Sequence, residues 1–261
     1  MKTNTLDFDA QALRDKILDL AMRGKLVPQD PNDEPASVLL EKIKAEKAEL
    51  VKEKKIKKSK PLPPITDYEK PFDIPDSWEW VRLGEVAKAV TKGTTPRGGK
   101  SAYLDKGIKF YRAENIKFYS ITSEPIKYIS PKINESQLKR SKLKKDDLLI
   151  TIAGTLGNVA MVRPENLPSN VNQAIAIIRL IDSSKFDESY LSFALSCQSK
   201  EIIKNKKTTS IPNLTLAQIS QALIPLPPLS EQSRIAAKIA QLFALLRKVE
   251  SSTQQDRKSV V

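Results

Sequence analysis

Arg112, Glu114 and Asn115 lie close together in IKFYRAENI (108–116). They offer an arginine fork, a carboxylate and a carboxamide, which match guanine O6/N7, the cytosine amino group and the adenine edge respectively. A salt-bridged strand end is the competing reading. A second set lies in GTTPRGGKS (93–101). As a nucleotide-binding loop it fails: five residues separate Gly93 from Gly99 where that motif has four. No clear helix opens in the AYLDKGIKFY that follows, and no acidic strand end supplies a Walker B carboxylate. What remains is a glycine-rich basic loop with Lys92, Thr94, Thr95, Arg97 and Lys100. Its hydroxyls and amides suit phosphate and its arginine suits guanine, against the plainer reading of glycines that serve turns only. LLITIAGTLGNVAMV (148–162) reads as a hairpin around Gly154 and Gly157, with Thr155 and Asn158 placed either to touch a nucleic acid or to hold the turn. The runs LKRSKLKK (138–145) and KNKKTTS (204–210), the latter with Thr208, add positive clusters. Their repetition points to phosphate binding.

The catalytic inventory is thin. The 261 residues contain no histidine, which removes imidazole catalysis, histidine–metal sites and imidazole pH switching. Asp146 and Asp147 are adjacent and so face opposite sides of a strand, a poor pair for one metal. Cys197 falls among Phe193, Ala194 and Leu195 as a core thiol, and a lone cysteine fits a reducing compartment. No glycine-rich fingerprint suits a methyl donor or dinucleotide, and no NPPY-like motif is present. The sequence therefore predicts no catalytic residue, metal or bound cofactor. Lys and Arg number 44 against 31 Asp and Glu, a net +13, so a polyanion is the natural partner. With 40% hydrophobic residues most of the chain should fold. Neither a signal peptide nor a membrane-length apolar run is visible, and a soluble, cytoplasmic protein is expected.

These groups need a scaffold. Leu13, Ile17, Leu20 and Ala21 predict a helix over 10–23, capped by Asp9 and stopped at Gly24. VPQDPNDEPA (27–36) has three prolines and breaks it. A second helix begins near Ser37 with Leu39, Leu40, Ile43 and Leu50, then dissolves into KEKKIKKSK (52–60). Residues 41–60 hold nine lysines and four glutamates; this interleaving favours a solvated linker over a phosphate-contacting arm. PLPPITDYEKPFDIP (61–75) reads as a stiff spacer. Trp78 and Trp80 then share one strand face, as core. Short strands are expected around 107–112, 126–129, 147–153, 158–163 and 173–180, with helices over 187–204 and 216–223, an α+β pattern. Ser230 should cap a helix over 230–250, roughly 30 Å long. Its residues Ile235, Ile239, Leu242, Leu246 and Val249 step by 4, 3, 4, 3, a 3.5-residue seam that requires a helical partner. The residues beyond it look frayed.

Four segments carry a family resemblance: LRDKILDLAMRGKLVPQDPNDEPASVLLEKI (13–43), PFDIPDSWEWVRLGE (71–85), GIKFYRAENI (107–116) and SIPNLTLAQISQALIPLPPLSEQSRIAAKI (210–239). In content and order they resemble the DNA specificity subunits of type I restriction–modification systems. The resemblance implies a mixed α/β target-recognition domain over 61–229, between a helical region and lysine-rich linker (1–60) and a spacer helix with tail (230–261). The helices would form an antiparallel spacer, a coiled coil. It implies double-stranded DNA as ligand, and partner methyltransferase and restriction/translocase subunits that carry S-adenosylmethionine, ATP and Mg2+. Family members usually hold two recognition domains in an internal repeat, and this chain has one. A half-size subunit is expected, dimerising through Leu13, Ile17, Leu20, Ile235, Ile239, Leu242, Leu246 and Val249. A truncated chain acting only in protein contacts, and a stand-alone nuclease or methyltransferase, are the alternatives.

Overall fold

Asp9 opens the first helix. Its Oδ1 accepts from the Ala12 amide at 2.9 Å, satisfying one of the free donors at a helix start, and α1 (Ala10–Met22) follows. The chain turns at Gly24 with φ +66°, where a Cβ would lie 2.4 Å from the Pro75 ring. The fold is that of a computed structural model, which describes residues 9–58, 60–204 and 213–259. After the proline turn, α2 (Ala36–Lys52) buries Ala36, Leu39, Leu40 and Ile43 as one apolar stripe.

Segment 61–75 is pinned to the body, where the sequence predicts a stiff spacer. Arg82 is 3% exposed, and its guanidinium donates to Pro63 O at 2.7 Å, Pro64 O at 3.2 Å and Gln221 O at 3.1 Å, and pairs with Glu69 at 2.9 Å. A buried guanidinium must find acceptors, and this proline-rich strap supplies them.

The tryptophan segment gives β1 (Glu79–Arg82), the short α3 (Leu83–Val86) and β2 (Ala87–Lys92). Both tryptophans are buried, although Trp78 sits just ahead of β1. Next come β3 (Ile108–Tyr111), β4 (Ile116–Lys117), β5 (Ser120–Ile121), β6 (Lys127–Ile129) and α4 (Pro131–Glu135). Then follow β7 (Leu148–Thr151), β8 (Val159–Met161), β9 (Ser169–Val171), β10 (Ile175–Leu180) and α5 (Glu188–Lys204). The chain closes with α6 (Leu216–Gln221), β11 (Leu223–Leu226) and α7 (Leu229–Ser259). Three expectations are corrected. The helix read over 216–223 stops at Gln221, because Leu223–Leu226 pairs antiparallel with β1. Ser230 is not a cap: α7 begins at Leu229, and Gln232 N already donates to Pro228 O at 3.0 Å. The tail expected to fray continues as helix through Ser259.

The principal sheet has the order β2-β10-β7-β8, every pair antiparallel. Its alternation splits the core. Ala176, Ile178 and Leu180 of β10 face the helices and join Leu148 and Ile150, while Ile175 and Ile177 join Leu149 beneath Tyr111 on the other side. Strand residues alternate between faces, and a strand covered on both reads as the unbroken apolar run seen here. A second sheet, β6-β3-β9, pairs β3 with β9 in parallel. The helices of residues 10–52 and α7 share the same apolar cluster as the sheet: Leu18, Met22 and Ile43 pack with Ile178, Tyr190, Ile235 and Ile239.

Helices α1 and α7 lie antiparallel. Arg14, early in α1, pairs with Glu250, late in α7, and Asp33, beyond α1, pairs with Arg234, early in α7, at 2.5 Å. Part of the seam thus packs inside the chain: Ile235 and Ile239 are buried, together with Phe243 beside the seam, and Leu242 and Leu246 are half-buried. Leu245 at 50% and Leu13 at 43% exposure face outward, while Ile17 and Leu20 are half-buried.

Candidate nucleic-acid interface

Several connections meet at one end of the principal sheet. Lys92 ends β2, and Gly93 N donates to Ile175 O at the start of β10 (3.0 Å). Ile152 N, after β7, donates to Ala174 O (2.8 Å), and Thr151 N donates to Asn158 O just before β8 (2.9 Å). Asn172 N donates to Tyr111 O (3.0 Å), which brings the Arg112–Asn115 turn to the same end. Leu214 N donates to Ile152 O at 3.0 Å. Thr208 and most of KNKKTTS lie outside the described residues.

The basic loop is locked at its root. Thr94 N donates to Val171 O at 3.1 Å, and a Cβ on Gly93 would stand 2.2 Å from the carbonyl oxygens of both Val171 and Asn172. Backbone crosses backbone here, and only glycine fits. Lys92, Thr94, Thr95, Arg97 and Lys100 are all exposed. Among the described residues, Lys92, Arg97 and Lys100 form no ion pair, whereas Arg14, Arg82, Arg163, Arg179 and Arg234 each hold a carboxylate. Three cations without a described ion pair, at the end of β2 and on the anchored loop after it, have the charge that phosphate attracts.

One candidate drops out, and a second is tied to the backbone. Asn115 is fully buried; its Oδ1 accepts from Arg112 N at 2.9 Å, and its Nδ2 donates to Thr122 O and Pro125 O at 3.1 and 2.9 Å. Asn158 donates through Nδ2 to Ile116 O at 2.9 Å, and its amide donates to Thr151 Oγ1 at 3.0 Å. Asn115 is thus spent in its turn with no edge left for a base, while Asn158 ties the hairpin to Ile116 through one amide hydrogen. Arg112 stays in the site with its guanidinium against Glu114, the salt-bridged strand end, while its Nε is buried without a partner. Thr155 is exposed at the hairpin tip.

Sequence reasoning missed two residues of this surface. Gln137 Oε1 accepts from the Arg97 amide at 3.0 Å, and Gln173 Oε1 accepts from the Thr95 hydroxyl. Gln173 was hidden inside the strand predicted over 173–180; the asparagine before it was the available turn signal.

The run 138–145 divides. Its Lys144 and Lys145 sit beside Lys88 at the opposite end of the sheet, around the buried Asp147–Arg179 pair. Arg179 Nε donates to Asp147 Oδ1 at 2.9 Å and Lys144 N to Oδ2 at 2.8 Å. Burial pushes this carboxyl up, against the Arg179 charge that holds it down. Cys197 is half-buried, and burial pushes its thiol up to about 12, an unreactive state. No cluster of three acidic, cysteine or histidine side chains fit for a metal occurs among the described residues. No described helix is long and apolar enough to cross a membrane.

Residues 75–255 match the family model of the type I restriction modification DNA specificity domain. The chain belongs to this specificity family. Among its curated relatives, the EcoAI type I restriction enzyme specificity subunit of Escherichia coli is 36% identical over 254 residues, covering 94% of this chain and 42% of the relative. The EcoEI specificity subunit of the same organism is 32% identical over 262 residues, covering 96% and 43%. The chain thus spans less than half the length of these two specificity subunits. Its fold matches that of the HsdS subunit from Thermoanaerobacter tengcongensis with a TM-score of 0.52 at 23% identity, covering 96% of this chain and 54% of that one. A chain from a study of complex assembly in a type I R-M system gives a TM-score of 0.56 at 21% identity, with 96% and 54% covered. The α+β specificity fold, sheets beside long helices, is common to all three.

Proposed function

We propose that this chain is the DNA-reading, non-catalytic part of a type I restriction–modification assembly. The observation that carries it is the convergence of the anchored basic loop, the Arg112–Glu114 turn, the hairpin tip at Thr155 and the 172–174 turn at one sheet end. Lys92, Thr94, Thr95, Arg97, Lys100, Arg112, Glu114 and Thr155 contact the duplex there, and Thr208 joins them by sequence. Residues 61–229 form the reading domain, and 1–60 with 230–261 the spacer. Methyltransferase subunits with S-adenosylmethionine, and a restriction/translocase subunit with ATP and Mg2+, perform the reactions.

Two copies of the chain pair. The support is the outward-facing Leu13 on α1 and Leu245 on α7, apolar side chains that a second copy would cover. A two-fold dimer reads a split palindromic site.

The test is equilibrium binding of the chain with its methyltransferase partner to a target duplex as salt rises. Affinity should fall steeply as counterions compete for phosphates; a flat profile ends the phosphate account. Arg97→Ala should cost about 1–3 kcal/mol at one base pair only if it reads a base, whereas equal loss on every sequence makes it a backbone contact. Partner binding with no sequence preference would instead mark a protein-interaction chain, and turnover by the chain alone an enzyme.

A further inference from the structure

Gln173 occupies the three-residue link that carries the chain from β9, in one sheet, to β10, in the other. The link is tied on both sides of it. Asn172 Oδ1 accepts from Ala174 N at 3.2 Å, and Ile175 N donates to Asn172 O at 3.2 Å. Asn172 N is held by Tyr111 O, next to Arg112, and the Val171 carbonyl by Thr94 N, three residues before Arg97. The link is therefore tied by its backbone to the segments that lead into both arginines, while the Gln173 side chain stays exposed.

Among the described residues its side chain bonds one exposed side chain and no backbone group. Buried carboxamides elsewhere are consumed by their surroundings: Asn170 Nδ2 donates to Asn134 Oδ1 and Leu138 O, and Gln232 bonds Asp187 N and Pro227 O. The described bond of Gln173 goes to another exposed side chain, Thr95. That contact places Gln173 Oε1 beside the basic loop. It leaves one Oε1 lone pair and both Nε2 hydrogens without a described partner. An acceptor and a donor side by side, on a rigid turn, complement the N6 amino group and N7 of adenine in the major groove.

We infer that Gln173 reads an adenine in the recognised half-site and that Thr95 is its positioning residue. This rests on the DNA-reading proposal. The test uses the chain with its methyltransferase partner. The methylated motif is first found by methylome sequencing, and binding is then measured on duplexes in which each recognised pair is replaced in turn. Gln173→Ala should weaken target binding roughly tenfold or more, erase discrimination at one A·T pair, keep it at the others and leave the salt slope unchanged. Gln173→Glu should move preference at that pair towards cytosine, whose amino group a carboxylate accepts. Thr95→Val should blunt discrimination at the same pair by a smaller factor. The inference is overturned if Gln173→Ala keeps every preference, if it weakens all duplexes equally with a shallower salt slope, or if the half-site contains no A·T pair. A wild-type complex with no preference anywhere overturns the DNA-reading proposal and this inference together; loss confined to Gln173 variants separates the two.

Discussion

Trp78 Nε1 donates to Glu231 Oε2 at 2.9 Å across 153 residues of chain, with both side chains buried. Gln29 Nε2 reaches the other oxygen at 2.5 Å. One carboxylate thus joins the turn after α1, the start of the β-rich part and the first turn of α7, three of the segments that carry the family resemblance.

Trp78→Phe should lower unfolding stability by about 1–3 kcal/mol, because it strips a donor from a buried acceptor; urea denaturation at pH 7 measures it. Burial raises the Glu231 pKa above its ordinary 4.5, against the Trp78 and Gln29 bonds that lower it. The folded state therefore holds this proton more tightly than the unfolded one. The contribution of Glu231 to stability falls as pH rises from the ordinary value through the raised one, and Glu231→Gln should remove that slope.

Glu69 should behave in the opposite sense. The Thr66 amide, with Arg82 and the Thr66 hydroxyl, holds its carboxyl down from 4.5 to about 2. The stability it contributes is complete above 4.5 and is lost as pH falls towards 2. An NMR titration of the Glu69 side chain should give a midpoint near 2, and Glu69→Gln should flatten the acid limb of the stability curve. A midpoint at the ordinary value would mean the Arg82 strap is not closed in solution.

Gly93→Ala should displace the basic loop, since its new Cβ meets two backbone carbonyls that cannot swing aside. Sequence discrimination should suffer more than non-specific binding, because phosphate attraction survives small displacements while base contacts do not. Competition binding between target and random duplex measures the ratio; an unchanged ratio would show that loop position is irrelevant to reading.

On the proposed pairing of two copies, Leu245→Asp should move the chain towards monomer with little change in the melting temperature, as that side chain is half exposed in the single copy. Ile239→Ala should instead cost about 2–5 kcal/mol of stability, because Ile239 is fully buried against its own chain. Sedimentation velocity and thermal melts separate the two effects.

Much of the scaffold is legible locally. The Asp9 cap, the Gly24 stop, the stripe of α2 and the strands near 108–111, 127–129, 148–151, 159–161 and 175–180 follow from propensity and period. The helix read over 216–223 runs too far because a helical period and a strand partner compete there, and pairing with β1 decides from Leu223 onward.

The sequence by itself determined the charge, the absence of histidine, the basic glycine-rich loop and the family phrases, all of which are properties of residue type and near-neighbour order. Only the tertiary structure decided which polar side chains are free. Asn115 is consumed by backbone groups and leaves the interface, Asn158 is tied to Ile116 by one bond, and Gln137 and Gln173 reach the basic loop from distant segments. Availability of a hydrogen-bonding group depends on what the rest of the chain brings within about 3 Å of it, and periodicity along the sequence carries no record of that.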